Sequence, residues 1–235
     1  MAFPVRKFLE ALQFADPGDH IPSWRQRGIR HGFYGRLDTK PDPMFAPKQV
    51  HGTHILELDR SSKPSEVANV SADGVAASSN VGPLGIQTAD CVPILVYDRD
   101  VTMAIHGGWR GLVQGIVAEA MTRIRDKSSV WVAIGPHIQA NAYEVGPDVM
   151  ERLSSFLSDK SFDEAWVLIK GNRDRWFLDI GSLTCLLLAE EGVPPEQITW
   201  MRDCTFVNKN RWHSYRRDGV SSGRNWSWIQ GAEAP

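Results

Sequence analysis

The stretch from Val92 to Gly111 constrains this chain more than any other. Val92–Tyr97 (VPILVY) is an unbroken apolar run, and Val101–Ile105 (VTMAI) is a second. Short apolar runs bounded by turn residues predict buried strands. His106 ends the second run, Gly107-Gly108 breaks it, and a helix is expected from about Trp109 to Arg125. Leu112, Ile116, Ala120 and Ile124 share one face of that helix. At such a junction glycines let the backbone approach a ligand closely. The first helical N–H groups then face an anion. Arg110 adds a guanidinium able to hold phosphate or carboxylate bidentately. A tight strand-to-helix turn needs the same glycines, so the junction alone names no ligand.

The remaining pattern is an irregular mixture. Residues 1–47 read as irregular, and the prolines of Arg36–Pro47 punctuate rather than build structure. Ile55–Leu58, Val130–Ile134, Trp176–Leu178 and Ile198–Met201 are predicted strands. Ser61–Glu66 reads as a polar loop, and Ser71–Asn80 as a turn-rich segment centred on Asp73-Gly74. Pro147-Asp148 starts a helix that runs to Leu157. Asp179 caps another that runs to Glu191 and stops at Gly192. The tail from Asn208 reads as loop-rich. With no repeat or linker, residues 1–235 are expected to form one α+β domain of mixed sheets and helices.

Composition narrows the function classes. Net charge is -2, with 26 basic and 28 acidic residues, so no electrostatic case for nucleic acid arises. No apolar run approaches the roughly 20 residues of a membrane span. The N-terminus lacks an apolar signal region, so no membrane association or secretion is expected. Three cysteines, Cys91, Cys185 and Cys204, fit a reducing, cytoplasmic setting better than a disulfide framework.

Three side chains carry the chemical argument. His51 sits between a loop and a strand, Cys91 opens the apolar strand after Asp90, and His106 ends the next one. Two imidazoles and a thiolate make a plausible zinc set with one open position. Their spacing is long-range, and no local ligand spacer supports it. Taken singly, His51 reads as an ordinary polar residue and Cys91 as a small core residue. His54 is the decoy, because strand alternation would turn it away from His51. Asp90 either orients a ligand or caps a turn. His137 reads as surface or supporting, and Tyr143-Glu144 as cavity-lining or solvated. Arg216 and Arg217 read as turn salt bridges or phosphate contacts. Cys185 reads as core and Cys204 as structural. Phe33, Tyr34 and Trp109 are core rings that could alternatively stack on a base.

In order, KQVHG, ADGV, TADCVPIL, HGGWRG, IGPHI, YEVG and SYRRDG followed by SGR run through residues 48–228. This series resembles that of the YfiH-type laccase-domain family, described both as multicopper polyphenol oxidase and as purine nucleoside phosphorylase. The resemblance implies a single α+β domain and a zinc ion, with copper as the alternative metal, held by His51, Cys91 and His106. It also implies phosphorolysis of adenosine, inosine, guanosine and methylthioadenosine, with adenosine deamination beside it. Nucleosides and phosphate would then be the partners. The chain departs from the family after His31-Gly32-Phe33, where a Gly-Gly-Val-Ser run and an Asn-Leu segment are missing.

Three other readings stand beside this one. A four-copper laccase needs many clustered imidazoles, whereas the seven histidines here are scattered singly. A metal-free hydrolase could pair Cys91 as nucleophile with His106 or His51 as base. A zinc-stabilised interaction domain would need its metal for folding and leave no open position.

Overall fold

The computed structural model describes residues 4–16, 18–78 and 80–231. Its strands are β1 (Gln13–Ala15), β2 (Arg30–Tyr34), β3 (Ile55–Leu58), β4 (Gly74–Ala77), β5 (Leu84–Thr88), β6 (Val92–Tyr97) and β7 (Thr102–Gly107). They continue with β8 (Trp131–Ile134), β9 (Glu144–Val145), β10 (Leu168–Lys170), β11 (Trp176–Leu178), β12 (Ile198–Met201) and β13 (Asn225–Gln230). The helices are α1 (Val5–Ala11), α2 (Pro22–Gln26), α3 (Pro64–Val67), α4 (Trp109–Gln114), α5 (Ile116–Met121), α6 (Pro147–Leu157), α7 (Ile180–Glu190) and α8 (Tyr215–Asp218).

A mixed seven-stranded sheet runs in the order β1-β12-β8-β6-β7-β4-β3. Its two ends pair in parallel and its centre, β8-β6-β7-β4, is antiparallel. Side chains alternate across a strand, so β6 sends Val92, Ile94 and Val96 to one face and Leu95 to the other. The first face is covered by helices, chiefly α7, whose residues from Ile180 to Leu188 are all buried. A helix apolar all round must be enclosed, and α7 lies between β6, α1 and α5. The second face is covered by a small antiparallel sheet, β2-β13-β5, which packs Phe33, Ile86 and Ile229 against Leu95 and Ala104. A third sheet, β10-β11-β9, closes one side of the helical layer. The result is the expected single-domain α+β arrangement of mixed sheets flanked by helices.

Several local expectations give way to tertiary packing. The helix expected over Trp109–Arg125 is two helices, because Gly115 adopts φ +97° and serves as the cap of both. The described residues within 1–47 are not irregular throughout: they contain α1, held by Val5 and Phe8, and β1, α2 and β2, around which Ile21, Trp24, Ile29 and Phe33 are buried. These elements are too short for periodicity to show, and burial rather than propensity fixes them. The tail from Asn208 likewise supplies α8 and β13, the middle strand of the small sheet. Asp73-Gly74 is no surface turn, because Gly74 opens β4 and Asp73 is fully buried.

Candidate active site

His106 is the last residue but one of β7 and, by alternation with Met103 and Ile105, faces the small sheet rather than the helices. Cys91 stands just before β6, whose Val92 pairs with Gly107, so thiol and imidazole meet where these two central strands end and begin. His51 arrives from the loop before β3 with φ +62°, in the left-handed region where a side chain costs strain. One ligand atom from each of the three lies within 4.8 Å of the others. The His51 and His106 rings meet edge-on, 4.8 Å between centroids. Around a tetrahedral zinc such donors would sit about 3.3–3.6 Å apart, so the set is gathered and needs only small side-chain rotations to close.

The residue that assembles this set is Asp73, which the sequence presented as a turn residue. Its carboxylate is 0% exposed. It accepts the backbone N–H groups of Val50 (3.2 Å), His51 (2.8 Å) and Gly52 (2.7 Å), and Nδ1–H of His106 (2.8 Å). Consecutive N–H groups closing on one anion form a nest, and this nest holds the left-handed turn at His51. A carboxylate only accepts, so the proton of neutral His106 lies on Nδ1, leaving Nε2 toward Cys91. Carboxylate–histidine pairs of this kind orient ligand imidazoles in metal sites.

Electrostatics follow from these contacts. Burial opposes charge on Asp73, but the His106 ring and the N–H groups of Gly52 and His51 outweigh it and hold the carboxyl below its usual range. Burial would push the Cys91 thiol up, yet His106 and then His51 bring it down to about 6. Burial would lower His106, but the Cys91 sulfur and Asp73 raise it to about 9. With the thiol near 6 and His106 near 9, the metal-free pair at neutral pH is a thiolate facing an imidazolium; a divalent ion would take the thiolate as it stands and displace the proton from His106 Nε2. Gly108 completes the fit. A Cβ there would come 3.0 Å from His51 Cδ2, 3.4 Å from Cys91 Sγ and 3.5 Å from His106 Cε1, so the absent side chain leaves room over all three.

Beside the His51, Cys91 and His106 side chains opens a cavity of about 570 Å³, lined also by Lys48, Gln87, Thr88, Tyr215 and Arg224. Gln49 is locked in its wall by a two-way bond to the Gln87 backbone, 2.7 Å each way.

The other sequence candidates fall elsewhere. Asp90, with φ +93°, turns its carboxylate to Thr205 Oγ1 (2.6 Å), Ser214 Oγ (3.0 Å) and Arg216 N–H (2.6 Å), so it ties a distant segment to the Cys91 turn. Arg110 lies over the Trp109 ring, 4.7 Å from its centroid, and does not line the cavity. Its helix α4 is only six residues long, a weaker dipole than the expected helix. His54 is exposed and bonded to the Ser71 carbonyl. Neither it nor His51 lies in a strand, so loop geometry rather than strand alternation separates them. His137 is neither surface nor supporting: it is fully buried, bonded to Gly135 O and stacked on Trp200. Arg217 is spent on the carbonyls of Thr205, Phe206 and Trp212 and on Asp218. Arg216 bonds Glu144 O over the Tyr143 ring. Phe33 and Cys185 are core, Tyr34, Trp109 and Cys204 are half-buried, and Glu144 is exposed.

Fold and cluster together place this chain among single-domain α+β proteins with a His–Cys–His set at a strand–glycine–helix junction. The chain belongs to the multi-copper polyphenol oxidoreductase laccase family, whose model matches residues 25–232. A purine nucleoside phosphorylase YfiH of Shigella flexneri is 33% identical over 217 residues, 91% of this chain and 82% of that protein. An adenosine deaminase RL5 from an unknown prokaryotic organism is 25% identical over 83% of this chain and 77% of its own length. The crystal structure of the hypothetical protein YfiH of Bacillus licheniformis superposes with a TM-score of 0.80 at 21% identity, covering 89% of this chain and 94% of that one. No helix among the described residues is long and apolar enough to cross a membrane.

Proposed function

We propose that this chain is a zinc-dependent purine nucleoside phosphorylase acting on adenosine, inosine, guanosine and methylthioadenosine, with adenosine deamination as a companion activity. The observation that carries the reading is the convergence of His51, Cys91 and His106 beside a cavity of about 570 Å³, a size typical of small-molecule sites. The purine nucleoside phosphorylase and adenosine deaminase relatives supply the chemistry. His51, Cys91 and His106 would hold the zinc; catalytic zinc is commonly held by three protein ligands, and mixed imidazole–thiolate sets occur among them. Zinc, when bound, supplies Lewis-acid polarisation of a reactant lone pair.

The chain's own residues do the rest. Asp73 fixes one ligand ring by its tautomer and another by its backbone. Tyr215, 52% exposed at the cavity, offers a ring face for the purine. In phosphorolysis the C1′–N9 bond breaks, its electron pair leaves on the purine, the purine takes up a proton, and a phosphate oxygen forms the new C1′–O bond. The test is product analysis from adenosine and inosine, with and without phosphate, on protein of measured metal content. Free base and sugar 1-phosphate support the phosphorylase, and inosine from adenosine supports the deaminase. Neither product from folded, zinc-loaded protein overturns the reading.

One geometric observation favours a second reading. Cys91, His106 and Asp73 also form the nucleophile–base–orienter chain of a cysteine hydrolase. The two readings separate on chelation, which abolishes turnover under the first and leaves it intact, or relieves zinc inhibition, under the second. The oxidase reading has less support. Among the described residues one cluster of three donors gathers, and buried His31 and His137 have both ring nitrogens engaged. That falls short of the mononuclear and trinuclear centres of a laccase.

A further inference from the structure

We propose that inorganic phosphate docks on Arg224 and Lys48, with Thr88 beside them, in the cavity next to the His51–Cys91–His106 cluster. This assignment rests on the phosphorolysis reading and names the residues that serve it. Among the described residues the cavity is lined by two cations and no carboxylate. Neither Lys48 nor Arg224 has an acidic partner there. A cleft with fixed positive charge and no counter-charge attracts anions selectively.

The arginine is pre-oriented. Its Nη1 donates to the carbonyls of Ser222 (2.9 Å) and Gly223 (3.0 Å), which leaves Nε and Nη2 as an unused fork. Such a fork matches two oxygens of a tetrahedral dianion. Its base is rigid: the adjacent Asn225, 3% exposed, clamps both the N–H and the carbonyl of His213. In the β13–β5 register Asn225 stands against Thr88, which sets Arg224 beside the segment that leads into Cys91. Thr88 is 2% exposed, lines the cavity, and its hydroxyl has no hydrogen-bond partner. Buried hydroxyls without partners are rare, and one on a cavity wall marks unmet bonding capacity.

The lysine is placed as firmly. Its N–H donates to Val70 O (2.9 Å), and its carbonyl accepts from Ala72 N–H (3.1 Å). The neighbouring Gln49 is the residue locked to Gln87. The chain thus projects one flexible point charge three residues before His51. The other cations named by the sequence are spent: Arg110 on Trp109, Arg216 on Glu144 O, and Arg217 on three carbonyls and Asp218.

The test uses the zinc-loaded full chain with inorganic phosphate. Arg224→Ala is expected to raise the phosphate KM about tenfold or more, and Lys48→Ala about threefold to tenfold. Nucleoside KM and zinc content should change far less, and Arg224→Lys should recover part of the loss. Two results overturn the assignment: an unchanged phosphate KM in both variants, or a larger rise in Arg110→Ala than in Arg224→Ala. If the wild type forms no sugar phosphate, the phosphorylase reading fails, and ³¹P titration still decides the subsite. Saturable phosphate binding that Arg224→Ala weakens supports it, whereas no binding overturns it. Inhibition by adenosine 5′-monophosphate with no response to inorganic phosphate would also overturn it.

Discussion

His106 and His31 are equally hidden from water, 3% and 2% exposed, yet they are driven in opposite directions. Burial lowers His31 to about 4, because its neighbours ask only for a neutral ring: Ile21 N–H donates to Nε2 (2.8 Å) and Nδ1–H donates to Ile29 O (2.9 Å). Burial acts on His106 too, but a thiol and a carboxylate face it and raise it to about 9. Depth therefore does not decide what a histidine is for. The sign of the charge placed against the ring does, and at the β7 junction a thiol and a carboxylate both bond to one imidazole.

The sharpest way to break the comparison is to empty the junction. Cys91→Ala should lose the metal and about 10³-fold or more in turnover, the several kcal/mol that a Lewis acid supplies. Far-ultraviolet circular dichroism should stay near wild type, because the cluster lies beside the core rather than in it. A variant retaining zinc and full rate would remove the ligand assignment.

The core histidine should show itself in acid. Unfolded His31 titrates near 6.5 and the folded residue near 4, so the unfolded chain binds more protons between those values. The stabilisation from keeping this ring neutral is full above pH 6.5 and lost as pH falls toward 4, about 3 kcal/mol in all. Urea melts across this window should show the slope, and His31→Gln should flatten it; an equal slope in both proteins would place the effect elsewhere.

Asp73→Asn keeps the shape of the nest but exchanges a carboxylate for an amide. Zinc affinity, measured by competition with a chromophoric chelator, should fall about 10- to 100-fold, with partial recovery in Asp73→Glu. Unaltered affinity would reduce Asp73 to a fold residue.

Two glycines sharpen the contrast between the regions. A Cβ at Gly181 would come 2.2 Å from Trp200 Cζ2 and 2.6 Å from His137 Nε2. Gly181→Ala should therefore cost about 2 kcal/mol of stability and leave zinc affinity alone. Gly108→Ala, crowding the ligands, should do the reverse. Calorimetry and chelator competition on both proteins read the two effects separately. His54→Ala, at an exposed ring bonded to one carbonyl, should change stability by less than about 0.5 kcal/mol.

The sequence made the long, strongly patterned parts legible. β6, α6 and α7 stand close to their expected limits, because each has an apolar run or a cap that local chemistry explains: Asp179 accepts from Ser182 N–H at 2.9 Å. Cys91 and His106 were visible from the strand ends they occupy. Asp73 was not, since its partners lie 21 to 33 positions away and only the fold joins them. Lys48 and Arg224 carried no local signal either, for exposed cations are common everywhere and only a cavity distinguishes two of them. The N-terminal elements were hidden by brevity, and the helix break by a glycine that propensity tolerates but φ +97° exploits.

The buried carboxylate of Asp90 has a further implication. Its oxygens grip Thr205, Ser214 and Arg216, residues 115 to 126 positions downstream, and Tyr215 sits inside that grip. One side chain thus works as a rivet between the thiol's own turn and the aromatic wall that a base would meet. Slack introduced there would be inherited by both at once, so under the proposed reading the alignment of a purine with the thiol would be a single mechanical adjustment rather than two independent ones.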